Sequence, residues 1–345
     1  FICASLVSLS LGLALVNFFE PGVDIAIELP EVGASTGIAT AALSLEEFML
    51  HLVPTSIVDG MARNEILQIV VFALFFGIGC AGVGKPAAAL VDALEGVAYV
   101  MLKVTMMVMW FAPLAVFAAV SAAIAKSGIE VIAVYGTFMA EFYISILILW
   151  IVLFLAAFAV LRNRAIGLFR AVREPVLLAF ATASSEAAYP KTLAQLEKFG
   201  CSNRVSSFVL PLGYSFNLDG SMMYCTFATI FIAQAYGIDL TLGQEITMLL
   251  ILMVTSKGMA GVPRASLVVI AATLAQFNIP EAGLLLLLGV DHFLDMARSA
   301  TNVIGNSVAA AVVSKWEGQL RPENSENPAL RRTLEEPIPI RQQEN

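Results

Sequence analysis

Three stretches of this sequence are too long and too apolar for a soluble protein to expose: "ICASLVSLSLGLALVNFF" (2–19), "ILQIVVFALFFGIGCAGVG" (66–84) and "YISILILWIVLFLAAFAVL" (143–161). About 18 apolar residues in helical form are enough to cross a hydrocarbon core of about 30 Å. In that medium every backbone N–H and C=O needs an internal partner, which leaves helices for runs of this length. Composition agrees: 13% of residues are charged, where soluble domains carry about a quarter. The fold class is therefore an all-α polytopic membrane protein. A net charge of −8 and a pI near 4.9 leave no basic stripe, so nucleic acid is excluded as a partner. The four cysteines, Cys3, Cys80, Cys201 and Cys225, are scattered without a CxxC pair. They give neither a disulfide framework nor a metal site.

Charge sets the orientation, because Lys and Arg collect in cytoplasmic loops. The segment "LRNRAIGLFRAVREP" holds Arg162, Arg164, Arg170 and Arg173, and Lys191, Lys198 and Arg204 follow. Lys315 and Arg321 come near the end. Residues 20–48 hold Glu20, Asp24, Glu28, Glu31, Glu46 and Glu47 with no Lys or Arg, and are expected outside. Counting spans from that loop places 162–173 and the C-terminus inside. The Pro-, Glu- and Arg-rich end of the chain has no apolar period and reads as a disordered cytoplasmic tail.

Two apolar stretches are interrupted in the same way. "PVLLAFA" runs into "TASSEAAYP" (182–190), and "EITMLLILMV" runs into "TSKGMAGVP" (255–263). Each apolar arm is expected to be about ten to fourteen residues long, too short to cross the bilayer. Ser, Gly and Pro end helices and free backbone groups, and freed groups must be buried in protein or line a wet cavity. Paired broken segments of this kind point to the binding site of a secondary transporter. The plainer reading is a pair of chance kinks in ordinary helices.

The last apolar segment, "GVDHFLDMARSATNVIGNS", carries Asp291, Asp295, Arg298, Asn302 and Asn306 at spacings of four, three, four and four. That spacing places them on one helical face. A charge at the bilayer centre costs about 2.5–3.5 kcal/mol on insertion scales, so this face turns toward protein or a cavity. Arg298 offers a planar fork for a carboxylate, and Asp295, one turn earlier, suits an ammonium group. The pair fits a zwitterion with an extra carboxylate, or alternatively a structural ion pair. In "GYSFNLDGSMMYCTF" (213–227), Asn217 and Asp219 lie in a span weakened by Gly213 and Gly220. An unwound turn there would aim hard oxygens at a small cation. Bound sodium or a proton would offset the burial of Asp219.

"FNLDGS", "SSEAAYP", "SKGMAGVP" and "DHFLDMARSATNVIGN" resemble the motifs of the dicarboxylate/amino-acid:cation symporters, the glutamate-transporter homologues. The resemblance covers residues 1 to about 318. It implies the glutamate-transporter-homologue fold with two re-entrant hairpins, homotrimers, and a transport domain that slides like an elevator on a static scaffold. Residue 1 would lie near the start of the family's third helix, so that the sequence is N-terminally truncated by two helices. The implied organisation is a transport-domain helix at 1–19, an extracellular loop at 20–44 and scaffold helices at 45–127. A transport domain at 128–318 would follow, with hairpins at about 165–200 and 241–277, and then a disordered cytoplasmic tail at 319–345.

By the same resemblance, Ser184, Ser185, Ser221, Val262, Asp295, Arg298, Ser299 and Asn302 would bind substrate. Asp295 would take its amino group, Arg298 its side-chain carboxylate and Asn302 its main-chain carboxylate. Gly213, Asn217 and Asn302 resemble one sodium site, and Asn306 stands where sodium-coupled members often carry Asp. Ser215, Ser256, Lys257 and Met259 resemble a second site, built largely from backbone carbonyls. Asn217 and Asp219 would contribute to a third. The family's third-helix ligands are reduced here to Ser5 within Phe1, Ile2, Cys3, Ala4 and Ser5, so coupling to H+ or to fewer Na+ ions stays open.

The expected function is symport of aspartate or glutamate with Na+ and/or H+, by an elevator mechanism and without an organic cofactor. Symport of the four-carbon dicarboxylates succinate, fumarate and malate is the alternative. Glu186 resembles the bacterial dicarboxylate branch, whereas Asp295 favours an amino acid. A bacterial inner membrane is the expected location, with lipid, a small anionic substrate and two further copies as partners. An enzyme is disfavoured: the only histidines are His51 and His292, with no HExxH and no Ser-His-Asp set. A passive channel is disfavoured by the Asp295–Arg298 pair. The Met-rich "MLKVTMMVMW" (101–110) reads as lipid-facing packing.

Overall fold

In a computed structural model, the described residues are 1–23, 29–31, 56–62, 66–111, 113–114, 117–118, 121, 125, 135–257 and 265–321. They form helices joined by turns, with an isolated antiparallel bridge between Cys201 and Leu320 and no strand among the described residues. In chain order the helices are α1 (Ile2–Phe19), α2 (Ile57–Ala62), α3 (Ile66–Val83), α4 (Ala88–Val108), α5 (Gly136–Leu161), α6 (Arg164–Thr182) and α7 (Tyr189–Phe199). They continue with α8 (Asn203–Phe216), α9 (Asp219–Ala235), α10 (Leu242–Thr255), α11 (Ala265–Gln276), α12 (Leu284–Leu288) and α13 (Asp291–Trp316).

Length follows from hydropathy. The 18 residues of α1 and the 26 of α5 reach about 27 and 39 Å at 1.5 Å per residue. Both are long and apolar enough to span a bilayer. The 14 residues of α10 and 12 of α11 reach only about 21 and 18 Å. α7, with 11 residues, is shorter still. α6 departs from the expected short arm: it has 19 residues and begins at Arg164, so most of the basic segment 162–173 is helix, not loop. Its amphipathic pattern explains this, since Ala165, Leu168 and Val172 are buried while Arg170 and Arg173 are exposed. Pro175 lies within α6 without ending it.

α6 and α7 fold back on each other and both pack on α13. A half-exposed ion pair, Lys191 to Glu174 at 3.0 Å, joins the two arms; at that exposure it contributes at most about 1 kcal/mol. The turn between them passes through Ala183, whose φ of 48° is left-handed. α9 sits at the centre, against α1, α11 and α13, and every residue from Asp219 to Ala233 in it is buried. Its Phe227 and Phe231 meet Phe138 and Phe142 of α5 edge-on or tilted. The expected tail begins with structure: Arg321 N donates to Gly200 O at 2.8 Å, and the Ser202 hydroxyl donates to Gln319 at 2.6 Å. The remainder, 322–345, lies outside the described residues, as do most of the loop 20–44, His51 and the second hairpin's tip.

Candidate functional site

The break between α8 and α9 sets the site. Asn217 (φ −138°, ψ 60°) and Leu218 (φ −92°, ψ 67°) leave the helical region, and helix resumes at Asp219. The Asn217 amide donates to Asp219 Oδ2 at 2.9 Å and to Asn306 Oδ1 at 3.3 Å. From α1, the Ser8 hydroxyl donates to Asp219 Oδ1 at 3.2 Å. Three elements thus converge on one carboxylate that has no solvent exposure. The approach is possible only because two crossing points lack a side chain. A Cβ on Gly305 would strike Asp219, and one on Gly213 would strike the Asn306 amide. The oxygen Asn217 Oδ1 and the hydroxyls of Ser215 and Ser256 are buried with no hydrogen-bond partner among the described residues. Such oxygens are free to meet a hard monovalent cation.

On the opposite side of the same turn, Asn302 of α13 ties down the first residues of α9. Its Oδ1 accepts from Gly220 N at 2.9 Å and Ser221 N at 3.4 Å, and its Nδ2 donates to the Ser221 hydroxyl at 3.1 Å. Asp219, Gly220 and Ser221 are consecutive. The hydrogen bonds around Asp219 and those that Asn302 makes to Gly220 and Ser221 therefore share one backbone turn.

One turn up α13, Arg298 is fully buried. Its Nη2 donates to Asp295 at 2.9 Å and to Asp291 at 3.0 Å, and its guanidinium lies 3.9 Å over the Tyr224 ring. Tyr224 OH donates to the same Asp291 oxygen at 3.1 Å. Nε and Nη1 of Arg298 have no partner among the described residues. A buried cation with donors left over is costly unless an anion takes them. The arrangement can therefore receive a carboxylate at Arg298, beside an acid at Asp295 able to receive an ammonium.

Ser184 and Ser185 lie in the α6–α7 turn. Ser185 is buried with an unpartnered hydroxyl among the described residues, and the Ser184 hydroxyl accepts from Ala187 N at 3.3 Å. Ala179 and Ala188, flanking the turn, pack on Val303 of α13, next to Asn302. Ser299 is buried on α13. Met259 and Val262 lie outside the described residues.

Several participants escaped the sequence reading. Ser8 follows Ser5 by one turn of α1, a spacing that placed it within reach of Asp219. Asp291 was seen on the polar face but not as a partner of Arg298. Tyr224, five residues after Asp219, carried no signal beyond being a polar aromatic in an apolar helix. Lys257 was expected to act through its backbone, yet its side chain is turned into the protein and bonded there.

Comparison with known proteins places this geometry in context. The model of the sodium:dicarboxylate symporter family matches residues 1–316. The "Proton/sodium-glutamate symport protein" of Bacillus subtilis (strain 168) is 40% identical over 322 residues, covering 92% of this chain and 75% of that protein. The "C4-dicarboxylate transport protein" of Citrifermentans bemidjiense is 40% identical over 327 residues, covering 93% and 74%. The "Proton/glutamate-aspartate symporter" of Escherichia coli (strain K12) is 40% identical over 326 residues, covering 90% and 73%.

Proposed function

The chain belongs to the sodium:dicarboxylate symporter family, and on that premise we propose that it carries an acidic amino acid, aspartate or glutamate, together with Na+ and/or H+. The observation that carries the reading is the buried Arg298, paired with Asp295 at 2.9 Å while two of its nitrogens remain without a partner. A substrate side-chain carboxylate would take those donors, and its ammonium would take Asp295. Asn302 and Ser221 would hold the main-chain carboxylate, with Ser184, Ser185 and Ser299 beside them and Val262 closing over the site from the second hairpin.

Coupling follows from the shared turn. A cation held by Asn217, Asp219 and neighbouring oxygens, among them Gly213, Ser215, Ser256, Met259 and Asn306, would neutralise a carboxylate that is otherwise costly to bury. It would also fix the turn on which Gly220 and Ser221 meet Asn302. An ion that binds the ordered turn better than the disordered one tightens substrate, and substrate tightens the ion by the same factor. We place the chain in a bacterial inner membrane as a homotrimer, with α3 and α4 in the scaffold and α1 with α5–α13 moving as the transport domain.

A second reading, symport of four-carbon dicarboxylates, is favoured by Glu186 at the α6–α7 turn and by a relative named for that transport. Uptake of labelled L-aspartate into proteoliposomes decides between ions: an inward Na+ or H+ gradient should drive accumulation. Equilibration without accumulation under both gradients would refute symport.

A further inference from the structure

The cation cluster contains a positive charge that the proposed function leaves unused. Lys257 follows the end of α10, and its side chain is 9% exposed, turned inward. Its Nζ donates to Ser5 Oγ at 2.6 Å and to the Phe216 carbonyl at 2.8 Å, and lies 3.9 Å from Met222 Sδ. An ammonium has three N–H donors and no acceptor, and these three atoms receive them. Phe216 is the last residue of α8 before the break, so its carbonyl sits at the negative end of that helix. Ser5 Oγ is itself bonded to the carbonyls of Phe1 at 3.1 Å and Phe216 at 3.3 Å. One turn along α1, Ser8 holds Asp219, with which the ammonium interacts electrostatically.

A lysine buried only to brace helices is expected to lie in direct contact with a carboxylate. Among the described residues no carboxylate lies within 4.0 Å of this one. It is surrounded by a hydroxyl, a freed carbonyl and a thioether, and Asp219 stands beyond them, already bonded to Ser8 and Asn217. The hydroxyl and the freed carbonyl, with the carboxylate beyond them, are oxygen donors of the kind a small hard cation takes, and here the positive charge is supplied by the protein's own chain. We propose that the Lys257 ammonium is the resident cation of the site formed by Ser5, Phe216 and Asp219, so that no sodium ion enters that position during transport. The inference rests on the symporter reading and refines it by one ion. Because the charge is tethered to α10, its effective concentration exceeds that of an ion arriving from solution. It also ties the end of α10 to α1 and to the α8–α9 break.

The test uses the full-length protein, with whichever of L-aspartate or succinate the wild type binds. Its Kd is measured by calorimetry over a series of Na+ concentrations at fixed pH. Lys257→Met should steepen the plot of log Kd against log [Na+] by about one, so that each tenfold rise in Na+ tightens binding a further tenfold relative to wild type. An unchanged slope overturns the inference. Should the variant fail to fold, wild-type crystals soaked in Tl+ decide the matter. No anomalous peak is expected among Ser5, Phe216 and Asp219, and a peak there overturns the inference. Failure of the symporter reading looks different: the wild type would bind neither substrate at any Na+ concentration, while the Tl+ experiment would still read the place of the ammonium.

Discussion

Helices α3 and α4 carry large apolar side chains outward, whereas α9 and α13 carry polar and charged side chains inward. On the first pair Phe75 is 66% exposed, Ile78 62% and Met107 63%, and Trp110 just beyond is 87% exposed. On the second pair Asp219, Asp291, Arg298 and Asn306 have no exposure at all. In water the first pattern would be an error. In a bilayer the two are complementary solutions, because an apolar face can meet lipid while charges retreat into protein. The difference assigns the tasks. Where a helix turns mostly hydrocarbon outward, the medium holds it and single apolar side chains matter little. Where a helix buries charge, each group depends on a named partner, and those partners make up the proposed site.

The comparison breaks first at Arg298. Arg298→Ala leaves Asp291 and Asp295 buried without their cation, a loss of about 3–5 kcal/mol. It also removes the proposed partner of the substrate carboxylate, at about 2–5 kcal/mol of binding, so affinity for acidic substrate should fall by about thirtyfold or more, as read by calorimetry. Asn302→Ala should have the next largest effect. It strands the Gly220 and Ser221 donors and removes the proposed partner of the main-chain carboxylate, a hydrogen bond to a charged group worth about 1.5–3 kcal/mol, which should raise the substrate Kd about 10- to 150-fold. Glycine substitutions then contrast the two regions directly. Gly305→Ala drives a methyl group into Asp219 and should cost about 1–3 kcal/mol, seen as a lowered Tm. Gly79→Ala on α3 meets nothing within 4 Å and should leave Tm unchanged or raise it slightly. A large loss at Gly79 would show that this face is packed against protein and not lipid. The smallest effect is expected from Met107→Ala, within about 0.5 kcal/mol and with unaltered transport.

Much of this was legible in the residues. Apolar length gave α1, α3 and α5, since a run that long has no other use. The four-, three- and four-residue spacing put Asp291, Asp295, Arg298 and Asn302 on one face, and α13 does bury all four. The interruption at Asn217 could be read because Gly213 and Gly220 flank it. What stayed hidden depended on direction in space. Nothing in "SKG" tells whether Lys257 reaches outward to water or inward to Ser5, because a four-carbon stem can do either. The partnership of Tyr224 with Arg298 arises from the crossing of α9 and α13, which no local pattern encodes. The 19 residues of α6 exceed the ten to fourteen expected of its apolar part because buried residues at helical spacing continue beneath the arginines.

The central claim is that the buried Asp295–Arg298 pair opens to receive a zwitterion bearing a second carboxylate. The most direct measurement is the binding heat of L-aspartate and of succinate, titrated separately into wild type and Asp295→Ala, with and without Na+ at fixed pH. The account predicts tight, cation-dependent binding of L-aspartate that Asp295→Ala abolishes. Binding of succinate that is indifferent to Asp295→Ala, with no heat from L-aspartate, would contradict it and leave Asp295 as a structural partner of Arg298.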